Sequence, residues 1–258
     1  MRFATWNLDW WQRNPECVPR QELLDQCNAD VVALQEVRGS VAKQLRSKHP
    51  GPSLFSQELH PGATWSWMGC GLLLRAGTAV LDSGVIVTLP KPQRGLWALI
   101  EMGGRRSTVA SWHAPNIPGD GLAAKMAAFE AMNQWISTAP APVILGADLN
   151  SWRDPIDPLA ADPVDRFYQE HQFVGPDAPH GLRDAYRTVI TANGHLDELR
   201  SLRPEGPLAT SYVLSDGSEH RMDRIYASPE LQPVGGMYDY ESAVSCGSDH
   251  ALHWIDFA

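Results

Sequence analysis

Several things are scarce in this chain, and each scarcity removes a class of protein. Its 258 residues include only four cysteines, Cys17, Cys27, Cys70 and Cys246. These show neither the paired CxxC spacing of a zinc or redox motif nor the dense spacing of a small secreted disulfide scaffold. Four free thiols in a reducing compartment is the expectation. No apolar run approaches the ~20 residues needed to span a bilayer. The chain opens on a strand rather than on an apolar leader, so a cytoplasmic protein without a membrane span is expected. Positive charge is also short, with 21 Lys and Arg against 30 Asp and Glu and a net charge of -9. That is poor support for a broad grip on duplex DNA by phosphate neutralisation. A Gly-x-x-x-x-Gly-Lys-Ser/Thr segment is missing, which argues against a nucleotide-powered enzyme.

What is present fits a globular enzyme. Hydrophobic residues make up 43% and charged residues 20% of the chain, and the length suits one domain over residues 1–258. Charge is uneven. Residues 1–129 carry 13 Lys/Arg against 10 Asp/Glu, and residues 130–258 carry 8 against 20. Arg38, Lys43, Arg46 and Lys48 form the densest basic run, either a solvated helix face or a phosphate-facing rim. A local basic rim on an acidic chain leaves a phosphate substrate open.

Apolar periodicity predicts strands over 2–8, 30–35, 69–74, 80–89, 96–102, 107–112, 143–147, 210–214, 222–227 and 251–255. Helical spacing is seen over 19–27, 41–48 and 122–136, the last capped by Asp120, with a further helix over 164–173. Gly103-Gly104 marks a hairpin turn. The stretch 180–206 has little periodicity and is long enough to shape a substrate rim. Many strands with few helices favour layered α/β packing around two sheets.

Polar residues end the apolar runs. Asn7 follows Phe3-Ala4-Thr5-Trp6, Glu36 follows Val31-Val32-Ala33-Leu34, and His113 follows Val109-Ala110-Ser111-Trp112. Asp148 and Asn150 follow Val143-Ile144-Leu145, and Asp249-His250 precedes the last strand. Burying such groups is costly, and their repetition at strand exits suggests one shared site. Carboxylates, amides and imidazoles without a thiolate form a donor set for a hard metal and phosphoester hydrolysis.

In order along the chain stand Thr5-Trp6-Asn7-Leu8, Leu34-Gln35-Glu36-Val37, Ser111-Trp112-His113-Ala114-Pro115-Asn116, Gly146-Ala147-Asp148-Leu149-Asn150, Arg221-Met222-Asp223-Arg224-Ile225 and Gly247-Ser248-Asp249-His250. Each is short and weak alone. As an ordered set they resemble the endonuclease/exonuclease/phosphatase superfamily of DNase I-like enzymes over nearly the whole chain. The resemblance implies an α/β four-layer sandwich, two mixed β-sheets packed face to face and flanked by helices. It implies a Mg²⁺-dependent phosphoesterase site on the loops at one edge, with Mn²⁺ as the alternative ion.

It further implies roles. Asn7, Glu36 and Asp249 belong to the metal side. His113, Asp148, Asn150, Asp223 and His250 are the expected catalytic set. Asn116, His113, Asn150 and His250 are the expected phosphate contacts, with Asp223 orienting the His250 imidazole. The substrate is a phosphoester, with nucleic acid among the options, and nothing in the sequence calls for an obligate protein partner. Phosphodiesterase or nuclease activity is the leading expectation. A phosphomonoesterase acting on a small metabolite, lipid or sugar is the alternative, and a non-enzymatic binding module the remote one. Abasic-site endonucleases typically carry Tyr where His113 stands, so no strong preference for abasic DNA is expected. His60, His171, His180, His195 and His220 read as surface histidines. Trp10, Trp11, Trp65, Trp67 and Trp152 read as packing residues, and Arg183, Asp184 and Tyr186 as shapers of a cleft.

Overall fold

The computed structural model describes residues 1–8, 17–60, 62, 68–140, 142–151, 173, 178–204 and 206–258, with side chains of 17–19 left aside. Trp10, Trp11, Trp65, Trp67, Trp152, His171 and most of 164–173 lie outside the described residues. Fourteen strands are described. They are β1 (Arg2–Asn7), β2 (Val31–Val37), β3 (Ser53–Phe55), β4 (Gly69–Leu74), β5 (Ala79–Val85), β6 (Gly95–Met102) and β7 (Arg105–His113), followed by β8 (Val143–Asp148), β9 (Arg183–Asp184), β10 (Tyr212–Val213), β11 (Glu219–His220), β12 (Asp223–Ala227), β13 (Pro233–Asp239) and β14 (Leu252–Phe257).

Two six-stranded sheets form, ordered β13-β14-β1-β2-β4-β3 and β5-β6-β7-β8-β12-β9, and β10 and β11 pair apart from them. Each large sheet is mixed: β1–β2 and β7–β8 are parallel pairs among antiparallel neighbours. The period of two along a strand sorts residues between layers. Phe3, Val31, Ala33 and Leu72 of the first sheet meet Ala98, Val109, Ile144 and Ile225 of the second in one buried core. The opposite rows, Ala4, Trp6, Val32 and Leu34, pack under the helices Cys17–Cys27 and Gly39–Lys48. On the far side Ala110, Trp112, Leu145 and Ala147 pack under Phe129, Met132 and Ile136 of the helix Leu122–Thr138. The order is helix, sheet, sheet, helix, as expected.

Where the sheets come closest, a side chain will not fit. A Cβ on Gly146 would lie 2.8 Å from both the Ala33 and Thr5 Cβ atoms. Polar groups weld the same place. Gln35 Nε2 donates to Ser111 Oγ (3.0 Å) and Thr5 Oγ1 (3.1 Å), and Ser111 Oγ donates to the Leu34 carbonyl (2.8 Å). All four residues are buried. The two bonds of Ser111 cross from sheet to sheet, and together the three satisfy groups that would otherwise be costly to bury.

Several elements depart from the sequence reading. Residues 180–206, read as featureless, hold β9 and the helices Ala185–Ala192 and Leu196–Leu202. Strand β13 and the helix Tyr240–Ser245 were not anticipated. Asp120 does not cap the long helix; Gly121 occupies that position with φ +84, and Asp120 accepts from Lys91 and Arg94. His180 is buried rather than on the surface. Its Nε2 donates to Phe173 O (2.9 Å) and its Nδ1 accepts from Leu182 N (2.9 Å), so burial pushes its pKa down to about 4. The Gly103-Gly104 turn holds both residues at positive φ, as a tight hairpin requires.

Asp184 sits in the wall rather than on a cleft rim. Its carboxylate accepts a forked pair of bonds from the fully buried Arg221, with Arg224 3.8 Å away. Despite burial, these guanidinium groups hold Asp184 well below the usual carboxylate range. Tyr186 stands edge-on to Tyr238, which stacks flat on His253 at 3.8 Å. A group whose folded pKa lies below its unfolded value of about 3.9 stabilises fully above that value, and the contribution fades as pH falls toward the folded pKa. Asp184→Asn is therefore expected to cost about 3–5 kcal/mol at neutral pH by stranding Arg221. The gap to the parent protein should stay flat down to about pH 5 and narrow below about pH 4. Urea unfolding of both proteins across that range checks this, and a gap that widens in acid would contradict it.

Candidate active site

The rows that face the inter-sheet core continue to the strand ends and there turn polar. On β1 the row is Phe3, Thr5, Asn7; on β7 it is Val109, Ser111, His113; on β8 it is Ile144, Gly146, Asp148. In the second sheet His113 and Asp148 are register partners, and Asp223 is the partner of Asp148 on its other side. Asp148 thus stands between a histidine and an acid. From the first sheet, Asn7 Nδ2 donates to Asp148 Oδ2 at 2.9 Å and lies 3.4 Å from Glu36 Oε1. His113 Nε2 lies 3.5 Å from Glu36 Oε1 and 3.6 Å from Asp148 Oδ2.

Glu36 should not be there by parity. Gln35 points into the sandwich, so Glu36 on a regular strand would point to the helices. A break in register between Leu34 and Val37 and a φ of +55 at Glu36 turn it back toward the cleft. Asn150 is a second left-handed residue, at φ +49. Its backbone N–H donates to Asp148 Oδ1 (2.8 Å), and its Nδ2 donates to the Ala114 carbonyl (2.9 Å).

His250 comes from the turn before β14. Gly247, at φ +85, supplies the bend that brings both Asp249 and His250 to the cleft. Ser248 Oγ donates to Asn7 O (2.7 Å) and accepts from the His250 backbone N–H (3.1 Å). Trp6 Nε1 donates to the His250 carbonyl (3.0 Å). His250 Nδ1 bonds Asp223 Oδ2 at 2.8 Å, and Asp249, with its side chain 47% exposed, lies 3.7 Å from His250 Nε2. Ligand atoms of Asp148, Asp223 and His250 lie within 4.8 Å of one another, and all three residues are buried.

Burial and charge set the protonation states. Burial raises Asp148 to about 7, with the neighbouring Asp223 charge adding to the effect and the His250 charge opposing it. Burial would lower His250, but the Asp223 carboxylate, by charge and hydrogen bond, outweighs it and holds the imidazole well above its ordinary value. His113 goes the other way. Burial first, then the positive charges of Arg94 and His250, keep it well below its ordinary value and neutral. The two histidines therefore differ in charge at neutral pH.

The structure brings Asn7, Glu36, His113, Asp148, Asn150, Asp223, Asp249 and His250 to one cleft. Asn116 is placed differently. It is exposed, and its Oδ1 caps the turn Ile117–Asp120 by accepting from Gly119 N (2.8 Å). In the basic run, Arg46 is paired with Glu58, while Lys43 and Lys48 are exposed. Sequence reasoning missed Ser248, Trp6 and Ser211; Ser211 Oγ accepts from the Met222 and Asp223 backbone N–H groups. The first two stand inside quoted motifs, so position offered a signal that residue type did not.

Oxygen-rich donors at the edge of a two-sheet sandwich define a metal-dependent phosphoesterase. The chain belongs to the Endonuclease/Exonuclease/phosphatase family, whose sequence profile matches residues 4–250. Among solved structures it is similar to D. rerio TDP2 complexed with single strand DNA product, at 18% identity and a TM-score of 0.73, covering 100% of this chain and 98% of that one. It is also similar to the human Nocturnin catalytic domain with bound sulfate anion, at 18% identity and 0.67, covering 100% and 94%. The endonuclease/exonuclease/phosphatase from Bacteroides vulgatus matches at 15% identity and 0.68, covering 100% and 98%. At these identities the likeness is one of fold. No curated protein matches the sequence significantly.

The opposed histidine charges give a direct test. Asp223→Asn removes the charge that holds the His250 proton, and its pKa in metal-free protein is expected to fall by at least about one unit. Imidazole ¹⁵N shifts followed across pH report this. An unchanged His250 titration would contradict the assignment.

Proposed function

We propose that this protein is a divalent-metal-dependent phosphodiesterase or nuclease, with Mg²⁺ as its ion, Mn²⁺ as a substitute, and residues 1–258 acting as one domain. The observation that carries the reading is Asp148, a buried carboxyl raised to about 7, held between His113 and Asp223 and bonded to Asn7. The donor set suits a hard cation. Carboxylate oxygens dominate, and Asp223 Oδ1 is buried without a hydrogen-bond partner, an acceptor that a cation or its water would satisfy. The thiol of Cys70 is pushed up to about 12 by burial and offers no soft ligand.

Glu36 and Asp249, with Asn7 positioning Glu36, would hold the ion. When bound it supplies positive charge to the phosphate oxygens. The chain's own residues do the rest. Asp148, with a pKa near neutrality, accepts a proton from the attacking water. His250 donates Nε2–H to a phosphate oxygen, and Asp223 fixes its Nδ1 side and its charge. His113 is neutral, so it suits donation to a non-bridging oxygen better than protonation of the leaving group. Asn150 Nδ2 gives one hydrogen to the Ala114 carbonyl and the other, at 3.4 Å, to Asp148 Oδ2, and that long second bond is the one a phosphate oxygen would take over. Asn116 contributes to phosphate contact through the loop it caps.

The single-strand DNA product in the D. rerio TDP2 structure supports a diester substrate. The net charge of -9 favours the second reading, a phosphomonoesterase on a small phosphorylated compound. Either way Glu36→Gln and His250→Ala should lower kcat by about 10²–10⁴-fold while the fold persists. The assay compares single- and double-stranded DNA, intact and abasic duplex, RNA, model diesters and sugar phosphates, with and without Mg²⁺. Cleavage of diesters without abasic preference is the expected pattern. Hydrolysis of monoesters alone would move the protein to the second reading, and near-normal turnover by both variants would overturn the site.

A further inference from the structure

Two site residues, Glu36 and Asn150, have left-handed backbones, which an L-residue other than glycine rarely adopts. Asn tolerates this region; Glu has no such excuse. Such conformations persist where surrounding structure over-determines them. In each case one buried polar side chain from outside the cleft grips a carbonyl at the irregular step.

At the Glu36 step the grip is Gln57, from the short helix Ser56–Leu59. It is 5% exposed, and its Nε2 donates to the Val37 carbonyl at 2.7 Å. Val37 is where pairing with β4 resumes after the break, opposite Gly69. The Gln57 amide occupies the space a side chain on Gly69 would need, with its Nε2 2.3 Å from where a Cβ would stand. Gly69 is thus the seat for the amide that holds the bulge. At the Asn150 step the grip is Lys125, one of only four lysines in the chain. Its residue is 2% exposed, its stem rises from the long helix, and its Nζ donates to the Asn150 carbonyl at 2.6 Å. A lysine buried to that degree is costly and needs a reason.

We propose that Gln57 and Lys125 are positioning residues that hold the two left-handed site residues, Gln57 aiming Glu36 and Lys125 aiming Asn150 together with the Asp148 carboxylate it braces. The proposal rests on the phosphoesterase reading above. Neither residue is placed against the substrate, so each acts through its neighbour. The two locks have different outputs. Gln57 governs the residue assigned to the ion, and Lys125 governs the residues assigned to water and phosphate.

The test uses Gln57→Leu and Lys125→Met in the full chain, with Gly69→Ala and Lys125→Gln as second variants should a first fail to fold by circular dichroism. Both locks should lower kcat roughly 10- to 100-fold with KM within about twofold of the parent. Gln57→Leu or Gly69→Ala should also raise the half-saturating Mn²⁺ concentration roughly 10-fold, while the Lys125 variants leave it unchanged. Lys125→Arg, which keeps a donor to the carbonyl, should recover part of kcat. Folded variants with parental kcat and metal dependence would overturn the proposal, as would losses in KM alone. Mn²⁺ affinity read by calorimetry separates the two levels. If the parent protein hydrolyses no phosphoester, the functional reading fails, yet weaker Mn²⁺ binding by Gln57→Leu would still support that lock and equal binding would sink it.

Discussion

The site depends on how closely the two sheets approach at Gly146. With no side chain there, Ala33 and Thr5 of one sheet lie against the backbone of the other. Gln35 and Ser111 then bridge the gap with buried hydrogen bonds, with Thr5 holding Gln35 from its own sheet. Two residues further along each strand, at the next inward position, the same rows become Asn7, His113 and Asp148. Short distances between groups from different sheets, such as the 2.9 Å bond from Asn7 to Asp148, follow from that closure. A larger residue at position 146 would spread the strand ends and separate the polar groups that only proximity makes useful.

Regular alternation delivers only part of the set. Asn7, His113, Asp148 and Asp223 arrive by strand parity, three of them as register neighbours in one sheet. Glu36, Asn150 and His250 arrive by broken regularity: a bulge, a left-handed step and a glycine bend. This division explains what could be read in advance. Polar residues after apolar runs were visible at Asn7, Glu36, His113 and Asp148 because a strand announces its own end. The ordered motifs then added Asp223 and Asp249-His250. Parity alone would have turned Glu36 away from the cleft, and no local pattern announces the bulge that corrects it.

Other features were illegible because they are set by distant contacts. Strand β13 carries Gly235-Gly236 and no alternation, and it exists because β14 offers an edge to pair with. The helix Ala185–Ala192 buries Ala185, Val189 and Ile190 on one face, a helical spacing present in the sequence but only about two turns long. Asp184 looked like a rim residue, yet Arg221, 37 positions away, draws it into the wall. His180 looked like a surface histidine until the Phe173 and Leu182 backbones claimed both ring nitrogens.

Burial raises Asp148, and the Asp223 carboxylate outweighs burial at His250, so in metal-free protein both hold protons more tightly than usual. A bound divalent cation would compete with those protons, as metal sites generally do. The most direct measurement is therefore Mn²⁺ anomalous scattering from crystals of the full chain grown at neutral pH. A peak is expected in the cleft within coordination distance of the Glu36 carboxylate, lost in Glu36→Gln. A well-ordered cleft with no peak, or a peak confined to acidic groups on the outer surface, would contradict it.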